Sequence, residues 1–303
     1  MANNRLHKLV WLVETIRRKR GISFEDLNRR WIDDEVDGGR PLSKSNLRNW
    51  MREIWDTFHV NIENDRSGEY LYRIVNGPDI EHDRIRLWLM QNMALSNTLA
   101  ECVNMKSRIV LEDIPSGMLH LQNIVTAMKE GLRVSMTYKS YFSAEASTFA
   151  AEPYCVKLFK QRWYMVARSL RHGGMRIYAL DRIASLRITD EPFDMPGDWS
   201  AEQFFDGCYG IIREPLPAED ITLHVSAVQA NYMRDLPLHP SQQETVQADG
   251  SSIFRFHLRP TDDFIQEILW NADEVEVMAP ATLRKKIAGM AGRIYNMYRE
   301  DEA

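Results

Sequence analysis

The sequence predicts an α+β protein in three parts: a winged helix first, a small β-barrel in the middle and a ferredoxin-like α/β domain last. Three observations predict it. Apolar residues recur at helical spacing in three segments before residue 60, and a short hairpin follows. From Leu132 the period drops to two over several short runs. After residue 220 the patterns alternate as β-α-β-β-α-β. The corresponding divisions are 1–77, a helical linker and dimerisation region at 78–130, then 131–212 and 213–303.

Leu6, Leu9, Val10, Val13 and Ile16 mark the first helix, which Gly21 closes. Ser23, with Asp26 three residues on, caps a second helix whose apolar face is Phe24, Leu27 and Trp31. Asp33 to Arg40 is an acidic, glycine-bearing loop. The third helix is capped by Ser43 and buries Leu47, Trp50, Met51, Ile54, Trp55 and Phe58. Its other face shows Lys44, Ser45, Arg48, Asn49 and Arg52. Arginine forks onto guanine and asparagine onto adenine, while lysine and serine hold phosphates, so this face suits a DNA groove. A solvated face on an ordinary helix has the same composition. Val60 and Ile62, a turn at Asp65-Arg66-Ser67-Gly68, and Tyr70, Tyr72 and Ile74 then make a hairpin. Helices followed by such a hairpin describe a winged helix, with Arg66 at the wing tip in reach of a phosphate or the minor groove.

Asn76-Gly77-Pro78 breaks the chain. Residues 80–111 read as a helix with a Trp, Met and Leu stripe that suits a subunit or domain contact. A second helix spans Met118 to Lys129. Strands follow at 132–138, 147–151, 154–159, 161–169, 175–180 and 183–188, with Gly173-Gly174 as a tight turn. So many short strands in about 60 residues predict a barrel, because a flat sheet leaves two edges open.

The strand Gln161-Arg162-Trp163-Tyr164-Met165-Val166-Ala167-Arg168 carries the most chemistry. Alternation places Trp163, Met165 and Ala167 on one face, and Arg162, Tyr164, Val166 and Arg168 on the other. Two guanidinium groups around a phenol suit an anionic, flat ligand. An edge strand with two exposed arginines gives the same pattern. The run resembles the tryptophan-tyrosine-leucine signature of WYL domains, with methionine in place of leucine. The similarity extends through Tyr138, Glu152-Pro153-Tyr154 and Tyr178-Ala179-Leu180-Asp181-Arg182-Ile183, with Ala179 where the family often carries an arginine. The flanks resemble the family's winged helix-turn-helix and C-terminal extension domain. The resemblance implies an Sm-like barrel and a nucleotide or nucleic-acid ligand, held by Tyr138, Lys157, Arg162, Tyr164, Arg168 and Arg182. Arg182 also has a structural alternative, as partner of Asp181 or Glu152.

The tail reads strand 221–226, helix 227–235, strands near 243–248 and 252–258, helix 262–271, strand 274–278 and helix 280–299. Ile265, Ile268 and Leu269 face its sheet, and Leu283, Ile287, Met290, Ile294 and Met297 stripe the last helix. Asp262 and Asp263 follow Thr261 at a helix start, where carboxylates cap.

Net charge is −5 over 303 residues, but residues 1–77 hold 14 Lys/Arg against 12 Asp/Glu, a mildly basic head on an acidic body. Cys102, Cys155 and Cys208 are too scattered for a zinc site or a disulfide framework. No phosphate-binding loop, dinucleotide fingerprint, paired-histidine metal motif or nucleophile elbow is present, so no cofactor, metal or catalytic role is expected. Without a signal peptide or an apolar run near the roughly 20 residues that span a bilayer, a cytoplasmic protein is expected. The expectation is a homodimeric regulator that binds a double-stranded operator and responds to a nucleotide or oligonucleotide. The alternative is a single-strand-binding accessory subunit of a defence or repair complex.

Overall fold

The computed structural model describes residues 2–65, 70–77, 83, 88, 92 and 117–299. The chain forms two compact units, residues 1–112 and 113–303.

In the first unit, α1 (Ala2–Lys19), α2 (Phe24–Asp33) and α3 (Lys44–Phe58) precede the antiparallel pair β1 (Ile62–Asn64) and β2 (Tyr72–Ile74). Ser23 and Ser43 cap α2 and α3, each accepting a backbone N–H three residues on. Trp31 is fully buried at the centre, stacked on Trp50 at 4.9 Å and edge-on to Trp11 at 5.4 Å. Leu9, Leu12, Val13, Leu27, Leu47 and Ile54 close around it. Two expected inward residues lie outside: Trp55 is 48% and Tyr70 64% exposed. The hairpin turn with Arg66 and most of the 80–111 segment lie outside the described residues.

In the second unit, α4 (Met118–Glu130) is followed by β3 (Leu132–Tyr138), β4 (Ser147–Phe159), β5 (Arg162–Ser169), β6 (Met175–Ala179) and β7 (Ile183–Pro192). These strands form one antiparallel sheet in the order β6-β5-β4-β3-β7. The expected closed barrel is therefore corrected: β6 and β7 are edges and the sheet is open. The chain turns the corner from one edge to the other through a single 3-10 turn, Leu180–Arg182. The edges are blunted by other means. β6 has five residues, and β7 shifts register twice before ending at Pro192. The 147–151 and 154–159 runs are a single strand, because Pro153 lies past the last β3 partner, Ala151, and a bulge after it absorbs its irregular geometry. Helix α4 buries Ile124 and Ala127 against Val134, Met136, Met165, Ala167 and Leu180.

A connector with the single-turn helix α5 (Ala201–Phe204) leads into β8 (Glu219–Val225), α6 (Ala227–Asp235), β9 (Gln243–Val246), β10 (Ser252–Leu258), α7 (Asp262–Trp270), β11 (Val275–Ala279) and α8 (Ala281–Tyr298). The strands lie in the order β11-β8-β10-β9, with Ile221, Leu223, Phe254, Phe256, Phe264 and Ile268 at the core. Only the first half of α8 joins that core. Leu283 is buried and Ile287 and Met290 pack against it, whereas Ile294 and Met297 are exposed. Among the described residues no helix is long and apolar enough to cross a membrane.

Candidate functional sites

The N-terminal candidate is the outer face of α3. Its periodicity sets Leu47, Ile54 and Phe58 inward, which leaves Lys44, Ser45, Arg48, Asn49 and Arg52 exposed together. Arg48 and Arg52, four residues apart, share one stripe and form no ion pair among the described residues. Lys44 holds its ammonium 5.1 Å above the Phe24 ring. Beside Asn49 and Arg52 opens a cleft of about 920 Å³ whose wall also carries Arg5, Lys8 and Arg40. Those three cations are already engaged: Arg5 pairs with Glu53, while Lys8 and Arg40 share Asp37. The Lys8 contact holds the Asp37 carboxyl below the usual carboxylate range.

In the second unit the six expected ligand residues separate into three places. Tyr138, Arg162, Tyr164 and Arg182 come together around Asp181. Arg162 Nη2 donates to Asp181 Oδ2 at 2.5 Å, and the Tyr138 hydroxyl accepts from the Ala179 N–H at 3.4 Å. The Arg182 guanidinium lies 3.5 Å over the Tyr141 ring. Tyr164 is buried, and burial pushes its phenol above the ordinary value against the opposing pull of Arg162.

Arg168, at the other end of β5, reaches Glu152 at 3.3 Å. Glu152 is only 2% exposed and also takes two bonds from Arg133, which bridges on to Glu191. Lys157 turns to the connector, donating to the Gly210 carbonyl at 2.5 Å and lying 3.9 Å over Phe205. Burial pushes its ammonium down.

The face of β5 expected to be open is thus largely covered. Tyr164 and Val166 are buried, and Lys157 and Phe159, the β4 partners of Tyr164 and Arg162, lie against Phe205 and Tyr209. Alternation assigned the faces correctly, and the connector then packed on the one expected to stay bare. Asp263 shows the same influence. It accepts the Ile211 and Ile212 N–H groups at 2.9 and 3.0 Å, clasping the connector as well as accepting the Thr261 hydroxyl and the Phe264 N–H.

The open chemistry sits one step away, in a cleft of about 460 Å³. Tyr138 and Arg182 line it, joined by Arg171, His172 and Arg176 from the β5–β6 hairpin and by Phe142, Phe149 and Tyr178. Glu145 is the one carboxylate in the wall, so cations dominate. Arg171 and Arg176 are exposed and form no ion pair among the described residues. At the mouth, Tyr141 is 73% and Phe142 100% exposed. Neither arginine was expected from the sequence, although the Gly173-Gly174 turn, with φ of 62° and 75°, is what folds the hairpin between them. The site offers fixed cations for an anion and aromatic planes for a flat group.

Residues 119–188, which contain this cleft, match the WYL domain, and residues 217–295 match the WCX domain. The chain carries both domains. Curated protein sequences give no match. Among solved structures the chain is similar to proteasome accessory factor B/C (PafBC) of Arthrobacter aurescens. That similarity has 17% identity and a TM-score of 0.35, over 99% of this chain and 48% of the other. The chain thus spans about half the length of that protein. It is also similar to a CRISPR Cas-related protein, with 12% identity and a TM-score of 0.40 over 90% of this chain and 78% of that one.

Proposed function

We propose that this protein is a DNA-binding transcriptional regulator whose WYL domain takes an anionic, aromatic ligand, a nucleotide or oligonucleotide. The observation that carries the ligand part is the cleft: three arginines and several aromatic rings converge there against a single carboxylate. An anion leaving water needs fixed positive groups to replace its hydration, and this wall supplies them. The α3 face supports the DNA part, since Lys44, Ser45, Arg48, Asn49 and Arg52 are exposed on one helix followed by two strands, the order of a winged helix. In this reading Arg66 is the wing contact, the operator is a two-fold repeat and the regulator a homodimer.

The test is selection of duplexes by the full-length chain from a random pool, followed by affinity measurement at fixed salt. Enrichment of one palindromic sequence, abolished in Arg48→Ala/Arg52→Ala, is the expected result. No enrichment from the pool would sink the regulator reading. One feature favours a second reading, a single-strand-binding accessory subunit: Tyr141 and Phe142 stand bare beside a basic cleft, as stacking platforms do. Tight single-strand binding without duplex selection is its signature.

A further inference from the structure

Two contacts meet at the start of β5. Arg162 opens the strand directly after the two-residue turn Lys160-Gln161, and Asp181 holds its guanidinium. Asp181 adjoins Arg182, which stacks on Tyr141 and lines the cleft. On the other side of Arg162, Lys160 donates to Glu267 Oε2 on α7 at 2.7 Å, and the Tyr209 hydroxyl donates to the same oxygen at 2.7 Å. The Tyr209 ring stands edge-on to both Phe159 and Phe264. Four consecutive residues, 159–162, therefore carry the contacts to the cleft and those to the C-terminal domain.

Within the second set the aromatic packing around Phe159 is the tight part, while Lys160 itself is more than half exposed. Gly210 approaches so closely that a Cβ there would come within 2.5 Å of Phe159 Cζ and 2.6 Å of Asp263 Oδ2. Close-packed groups pass a displacement on instead of absorbing it. The first set has two arrangements open to it. The pair is held by one bond, and the buried Asp181 Oδ1 and Arg162 Nε find no partner among the described residues. A small shift to the two-pronged arginine–carboxylate fork would satisfy both atoms.

We infer that the Arg162–Asp181 pair couples the cleft to the C-terminal domain, so that a change at Arg182 alters the stability of α7 around Glu267. Arg162 is then a positioning residue and not a ligand contact. The purpose of this coupling rests on the reading of the cleft as a ligand site, but its test needs no ligand. Failure to bind any nucleotide would sink the sensing reading and leave the coupling standing.

The test is amide hydrogen exchange on the full-length chain, read over residues 262–270. Arg182→Ala should change exchange there by at least about twofold, the lower end of couplings measured between interacting groups. The change should vanish when Asp181→Asn is already present, and again in an Arg162→Lys background, which keeps the charge but not the fork. The coupling is overturned if Arg182→Ala leaves α7 unchanged, or if its effect persists undiminished in either background.

Discussion

The outer face of α3 and the Arg162–Arg168 face of β5 both carry arginines at regular spacing, yet one stands open and the other is largely covered. On α3 the five polar residues are exposed where helical periodicity places them. On β5, strict alternation delivers Tyr164 and Val166 to a face on which the connector then packs, and the end arginines are drawn to Asp181 and Glu152. A helix with one buried stripe leaves its opposite face open by local geometry alone. A strand has two equivalent faces, and which one meets solvent depends on what a distant segment covers. The open chemistry of the sheet accordingly lies beyond β5, on the 139–146 loop and the β5–β6 hairpin.

The sharpest way to break this contrast is Glu152→Ala. It removes the buried carboxylate that Arg133 and Arg168 share; Arg168 is more than half exposed and Arg133 keeps Glu191, so the screened loss is about 1–3 kcal/mol. Chemical denaturation should show that loss, and a loss under about 1 kcal/mol would mean the network is slack. On α3 the opposite is expected. Arg48→Ala/Arg52→Ala should leave stability within about 0.5 kcal/mol while lowering the salt slope of duplex binding by about 0.9 for each phosphate that is no longer neutralised. Phe142→Ala, at a fully exposed ring, should leave the melting temperature unchanged and weaken single-strand oligonucleotide binding by about 1–3 kcal/mol. The smallest effect belongs to Asp37. Its carboxyl is held below the usual range by the Lys8 contact, so its contribution is present at neutral pH and disappears as pH falls through that lowered value. Asp37→Asn should remove part of the acid limb of unfolding in the first unit and leave the alkaline limb alone.

Much of the fold was legible because local chemistry decides it. Ser23 and Ser43 cap where they were expected to, and the period change at Leu132 marks the first strand of the sheet. Closure was not legible, because edges can be blunted by shortness and bulges as well as by a seam. Nor was the Lys160-Gln161 turn an obvious hairpin. Both residues take positive φ, 45° and 63°, without the glycine or asparagine that normally signals it. Of the cleft lining, Tyr138 and Arg182 were named through the resemblance. Arg171 and Arg176 were not, since only the folded hairpin brings them to the same cleft.

On the proposed reading the ligand cleft is the one lined by Arg171, Arg176 and Arg182, and the Arg162–Arg168 face of β5 serves structure. The most direct measurement is titration of a fluorescently labelled single-stranded oligonucleotide into the wild-type chain, Arg171→Ala/Arg176→Ala and Arg168→Ala at one salt concentration. The cleft variant should lose about tenfold or more in affinity, since charge-assisted hydrogen bonds contribute on the order of 1.5–3 kcal/mol each. Arg168→Ala should stay within about twofold, because its guanidinium is already paired with Glu152. Tenfold loss in Arg168→Ala with the cleft variant unchanged would contradict that reading.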